Sequence, residues 1–373
     1  MQYSISFRIK SYFTYILNRF NIKLFIRLIT AYRLYKKANA SQFKSEDADN
    51  IIWLYYPNFK QFKQSITWDI LLITYVSLCN EKYTIHRGPD IGKYRNKNIL
   101  FTIHKDKINL FQVENYSASY QLVTQQLEEQ RNTVYPSYNE ILYWENKIYM
   151  HNMFDKLGIK SPKTTIYSNF EQLIANETTF PFLIKVPHSS GSYGQFNVVD
   201  RDYLLTLRND SIILENSHYL AQERLNITMD MRIVLVAGEI VHYYWRKNKD
   251  KSKWKTTSTS HGSVVDFEYF PEQWRQNIVD SFNKLNITMG AFDLGWQNDD
   301  LSTEPYIFEV SPSYDINPKI TDPDYLSNYG AWKKKLLFKG SFDRLFVEDT
   351  HDIKKKGVAD FFKHINAQKE QKV

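Results

Sequence analysis

The sequence predicts an α+β body, preceded by a small α/β domain and led by a basic amphipathic helix. Three observations point there. Its 373 residues are 43% hydrophobic and 24% charged, enough for two or three domains with a large core and too apolar for wholesale disorder. Apolar runs alternate with a helical pattern up to Pro136, as in a mainly parallel sheet. From Thr164 onwards short strands follow one another with few helices between them, the pattern of mixed sheets with helices on one face.

Composition narrows the function classes. Only 12 Gly stand against 27 Tyr, 24 Phe and 8 Trp, so core and binding surfaces are rich in large flat side chains. The one cysteine, Cys79, excludes an internal disulfide and a Cys-based zinc site, and makes a cytoplasmic location the default. Residues 1–40 carry eight Lys and Arg and no acid, whereas the whole chain has a net charge of +7. The body is therefore close to neutral. A basic appendage on such a body argues against specific nucleic-acid binding.

The first element is that appendage. Phe13 to Tyr35 is interrupted by Asn18, Arg19, Asn21, Lys23, Arg27 and Arg33, so it does not span a bilayer, and no clean apolar stretch precedes Ala38-Asn39-Ala40 as a signal peptide requires. On a helical wheel Phe13, Leu17, Phe20, Leu24, Leu28 and Ala31 fall together, with Arg19, Lys23 and Arg27 as a stripe at one flank. This face suits an anionic membrane surface, at the inner side of which the protein would be peripheral, and it equally suits docking on the body or on a partner subunit. After a polar linker, Ile51 to Tyr56 reads as a buried strand, Ser65 to Cys79 as a helix, and Tyr83 to Ile85 and Ile99 to Ile103 as strands. Met150, Met153, Phe154 and Leu157 have helical spacing that ends at Gly158. Strands follow at Thr164 to Tyr167, Phe182 to Val186, Phe196 to Val199, Tyr219 to Glu223, Met231 to Val236 and Ile240 to Trp245. A helix from Gln273 to Leu285 then leads to two strands around Asp293 and Glu309.

Three groups of residues carry chemistry. In the first, a strand with one inward lysine, Lys185, runs into a loop holding Ser189, Ser190, Gly191 and Gly194, where backbone N–H groups and an ammonium can meet phosphates; a plain hairpin is the alternative. In the second, a hairpin about the turn Asn298 to Thr303 sets Asp293 opposite residue 308 or 309, so that two carboxylates face each other and invite a Mg²⁺ that bridges phosphates; pairing with Arg or Lys is the alternative. In the third, Arg232 and Arg246 sit in apolar strands on either side of Gly238 and suit stabilisation of developing negative charge, or else structural pairing with acids.

The order of these pieces resembles the ATP-grasp superfamily, and within it the RimK-like carboxylate-amine ligases, over roughly residues 132–318. The resemblance implies two α+β lobes clamping ATP, with Lys147 and Lys185 on the phosphates. It implies Gln222, Glu223, Arg224 and Leu225 at the adenine, Asp230 at the nucleotide, and Asp293, Glu309 and Ser311 at Mg²⁺. It further implies a carboxylate substrate and an amine substrate joined through an acylphosphate. The lobes it implies are 139–216 and 217–320; before them stand the basic segment 1–40 and the α/β domain 50–138, and after them a helical, basic extension over 321–373. Two departures stand out. Ser311 occupies the place where the family has an amide, and Trp254 to Gly262 lacks the family's Arg-Ser-Asn pattern, so substrate identity does not carry over. A ligase decorating a membrane-linked surface glycan, a peptide-modifying ligase and a non-catalytic ATP-binding scaffold are the readings left open.

Overall fold

The computed structural model describes residues 22–56, 58–103, 117–250, 254–314 and 348–370. Residues 1–21, with Arg19, and the stretch 315–347 lie outside the described residues. The chain divides into two compact units: Met1–Ile108 with Glu129–Tyr135 and Pro318–Val373, and Asn109–Glu128 with Pro136–Asn317.

The first unit is a parallel sheet. Strands β1 (Asn50–Leu54), β2 (Tyr83–Arg87), β3 (Asn98–Leu100) and β4 (Thr133–Tyr135) are arranged β2-β1-β3-β4. All five residues of β1 are buried, as expected of a central parallel strand covered on both faces. Helix α1 (Ile22–Lys37) packs on α2 (Phe59–Leu78), with Ala31 buried and Phe25 and Tyr32 exposed. Helix α2 begins six residues before the expected Ser65, because the Asn58 side chain accepts the Gln61 N–H and caps a first turn that has little apolar pattern. The C-terminal helix Glu348–Glu370 also packs on α2, burying Ile353, Val358, Phe361 and Phe362. It belongs to this unit.

The second unit holds two antiparallel sheets. Helix α3 (Ala118–Glu129), which the sequence pattern did not suggest, buries Ser119, Tyr120, Thr124 and Leu127, a face too polar to read as amphipathic. Helices α4 (Tyr138–Tyr143) and α5 (Lys147–Lys156) follow. The smaller sheet has the order β5-β8-β6-β7, from β5 (Thr164–Tyr167), β6 (Phe182–Lys185), β7 (Gln195–Val198) and β8 (Tyr219–Glu223). β8, which follows the expected boundary at residues 216 and 217, pairs with β5 and β6. Phe182, Ile184, Val198, Tyr219 and Ala221 cover one face with apolar side chains against short helices. Strand alternation sends Lys185 and Gln222 to the other.

The larger sheet has the order β11-β10-β9-β12-β13, from β9 (Met229–Val236), β10 (Glu239–Lys247), β11 (Val264–Asp266), β12 (Met289–Gly295) and β13 (Tyr306–Ser311). Met231, Ile233, Leu235, Trp245, Phe292, Leu294 and Val310 form its apolar face, packed with Met150 and Phe154 of α5. The alternate positions carry Asp230, Arg232, Arg246, Asp293 and Glu309. Among the described residues no helix is long and apolar enough to cross a membrane.

Candidate active site

The polar face of the larger sheet is an array of ion pairs set by strand register. Asp293 lies opposite Arg232 on one side and Glu309 on the other, and Asp230 lies opposite Arg246. Arg232 grips Asp293 with both ends of its guanidinium, Nε to Oδ1 and Nη2 to Oδ2, each at 2.7 Å. Arg246 grips Asp230 in the same way, at 2.8 and 2.5 Å, and reaches Asp293 Oδ2 at 3.1 Å. Despite burial, which opposes ionisation, Arg232 and then Arg246 hold the Asp293 carboxyl well below the usual carboxylate range.

For Arg232 and Arg246 these pairs are the structural pairing with acids that the sequence also allowed. Asp230 is buried, and Arg246 and the Thr257 hydroxyl engage it. Arg232 and Arg246 each hold an acid on a neighbouring strand, which fixes their guanidiniums in place. Glu309 is different: among the described residues it forms no ion pair, and its Oε1 accepts the Ser311 hydroxyl at 3.5 Å.

Lys185 comes to this array from the smaller sheet. Only 8% of it is exposed, yet among the described residues its ammonium has no hydrogen-bond or ion-pair partner. Burial lowers its pKa to about 8, against the pull of Glu309 and Asp293, and the nearby Lys147 adds to the lowering. Lys147 itself is a strut. Its ammonium donates to the carbonyl and the hydroxyl of Ser189, its backbone N–H to Pro187 O at 3.1 Å, and His188 meets Glu145 O. The loop after β6 is thereby strapped to the start of α5.

The glycines of that loop are required by geometry. Gly194 has φ +65°, and a Cβ there would stand 2.3 Å from Val186 Cγ2; Gly191 has φ +61° with open space around it. Ser190 is exposed beside Gly191, whereas Ser189 is buried under Lys147. The strand end expected at the adenine splits by parity. Gln222 is buried on the site face, while the exposed Glu223 carboxylate accepts the Lys163 N–H. Arg224 lies over the Trp254 ring, and the Trp254 indole donates to Leu225 O.

No protein-family model matches the chain, and no curated protein does. Solved structures do. D-cycloserine synthetase DcsG is similar with a TM-score of 0.52 at 11% identity, over 83% of this chain and 99% of that one. D-alanine–D-alanine ligase from Bacillus anthracis is similar with a TM-score of 0.50 at 13% identity, over 70% and 86%. The same ligase complexed with ATP gives 0.50 and 13%, over 70% and 85%. The chain has the ATP-grasp fold.

Whether the residues present suit the Mg²⁺ that an ATP-grasp site implies is decided by the donor set. The described residues contain no group of three or more His, Cys, Asp or Glu that could enclose a metal. What they offer is an open pair of oxygen donors, Glu309 with Ser311 beside it, next to an Asp293 already shared between two guanidiniums. Oxygen donors suit a hard cation, and an incomplete shell leaves positions for phosphate and water, so the residues fit such an ion, which Glu309 would chiefly hold.

Sequence reasoning missed His151. One turn beyond Lys147 on α5, it is buried and meets Gln222 with its Nε2 at 3.1 Å. Burial, then Lys185 and Lys147, lower its pKa to about 3. Its spacing of four from Lys147 was the available signal.

Proposed function

We propose that the protein is an ATP-dependent ligase that joins a carboxylate to an amine, with ADP and phosphate as by-products. The observation that carries this reading is the buried ammonium of Lys185, unpartnered among the described residues, beside a sheet of fixed charges. Lys147, Lys185, Arg232 and Arg246 outnumber Asp230, Asp293 and Glu309, and a buried excess of positive charge asks for an anion. A triphosphate supplies it. When bound, Mg²⁺ would offset part of that phosphate charge from Glu309 and Ser311.

In the reaction, a substrate carboxylate oxygen attacks the γ-phosphorus while the bond to the β-phosphate oxygen breaks, giving an acylphosphate and ADP. The amine then adds to the acyl carbon, phosphate leaves with the C–O bond, and the amine gives up a proton. This chain's part is to position and to stabilise charge. Lys185 faces the transferred phosphate, the strapped loop Ser189 to Gly194 offers backbone N–H groups, and Arg232 and Arg246 hold a positive field that needs no reorganisation as charge develops.

For the substrate we propose a carboxylate on a membrane-linked surface glycan. What supports it is the excess of basic residues over 1–40 and the exposed Phe25 and Tyr32 on α1. The test is ADP release over a panel of uronic-acid, peptide and amino-acid carboxylates, each with a panel of amines. ADP release that depends on both a uronic acid and an amine supports the reading. Release with peptides alone replaces the glycan by a peptide, and ATP binding without release by any pair leaves a non-catalytic scaffold.

A further inference from the structure

Gln222 lies opposite Thr164 on β5 and Leu183 on β6, and only 2% of it is exposed. Its amide nitrogen is 2.9 Å from Thr164 Oγ1 and 3.1 Å from His151 Nε2. The direction of these bonds is forced. Thr164 gives its one hydroxyl hydrogen to Pro162 O at 2.8 Å, so toward Gln222 it can only accept. Gln222 must therefore present an N–H there. Its second N–H meets His151 Nε2, which must carry a lone pair, and the imidazole is the neutral form protonated on Nδ1.

With both amide hydrogens engaged, the amide cannot turn over. Gln222 Oε1, which receives no donor from the described residues, is left as a fixed acceptor. The imidazole is not there for its other nitrogen: among the described residues His151 Nδ1 is buried with no partner, a cost that an apolar side chain would avoid. What His151 supplies is the acceptor at Nε2.

We propose that Thr164 and His151 are positioning residues that set base specificity, by locking Gln222 Oε1 as the acceptor for the amino group of a 6-aminopurine. The proposal rests on the nucleotide reading of this site. A 6-oxopurine would set oxygen against oxygen, with no hydrogen between them, and such a site rejects it. Without the lock the amide can turn and serve either base.

The test is equilibrium binding of ATP and of inosine triphosphate, both with Mg²⁺, to the full-length protein and its variants. The wild type is expected to prefer ATP by about a hundredfold. Thr164→Val and His151→Leu, which each remove one acceptor, should cut that preference by about tenfold, mainly through tighter inosine triphosphate. His151→Gln, whose carbonyl can accept, should keep it. An unchanged preference in both Thr164→Val and His151→Leu overturns the lock and leaves the nucleotide site standing, as does a wild type that binds the two nucleotides equally. A wild type that binds neither overturns the nucleotide reading and the lock with it. Thr164 is only half-buried, so Thr164→Val carries the test if His151→Leu fails to fold.

Discussion

Asp293 and Glu309 face each other across two strands, yet their substitutions should behave differently. Asp293 is gripped by Arg232 and touched by Arg246, so Asp293→Asn leaves two buried guanidiniums undercompensated and should lower stability by about 3 to 5 kcal/mol as well as abolish turnover. Glu309 carries no ion pair among the described residues. Glu309→Gln should reduce ATP-dependent ADP release by about a hundredfold or more while leaving the melting temperature close to wild type. Calorimetry and an ADP-release assay on both variants check this, and a Glu309→Gln protein of normal activity removes Glu309 from the metal site. His151 makes a prediction of its own. Its pKa falls from 6.5 to about 3 on folding, so between those values the unfolded chain binds the extra proton. Stability therefore falls as pH drops through that window, by up to about 1.4 kcal/mol per pH unit from this group. His151→Gln should flatten that part of the stability profile, and an unaltered acid limb in chemical denaturation would show that His151 takes its proton early.

At the scale of elements, the loop after β6 is held by two devices: a strap from α5 and a left-handed Gly194 that lets Val186 N–H reach Gly194 O at 3.0 Å. Gly194→Ala meets both an unfavourable φ and the Val186 side chain, whereas Gly191→Ala meets only the φ, which costs about 1 to 2 kcal/mol. ATP affinity should drop sharply in the first variant and by less than about tenfold in the second, as titration calorimetry would register. Equal losses would mean that the Val186 contact does not shape the loop. This loop, and the facing of Asp293 and Glu309, were legible because each lies within one hairpin, where counting from the turn narrows the partner of Asp293 to residue 308 or 309. The partners of Arg232 and Gln222 were not. Asp293 is 61 residues from Arg232 and His151 is 71 from Gln222, so only the order of strands in the sheets and the placement of α5 bring them together. The lengthened start of α2 was hidden for another reason: it depends on one local cap, Asn58, rather than on apolar spacing.

For the molecule as a whole, the open question is what the basic N-terminus does, and α1 narrows it. Its inward side is already used: Ala31 is buried, the helix packs on α2, and the Tyr83 hydroxyl donates to Ala40 O at 3.0 Å just beyond it. Deleting residues 1–40 should therefore lower the stability of the first unit, contrary to a dispensable tail. The outward side carries Phe25, Tyr32, Arg33, Lys36 and Lys37, all exposed, with Lys36 lying over the Tyr32 ring. Aromatic side chains that enter the headgroup region and lysines that meet anionic lipid, each basic residue contributing about 1 kcal/mol, are what attachment to a membrane surface needs. The full-length protein should sediment with anionic liposomes and poorly with neutral ones, and raised salt should release it. Arg33, Lys36 and Lys37 changed together to Gln should weaken that binding about a hundredfold, at a stability close to wild type because none of the three is buried. Full-length protein that ignores anionic liposomes would confine α1 to its packing on α2 and remove the support for a membrane-linked substrate, while leaving the nucleotide site of the second unit untouched.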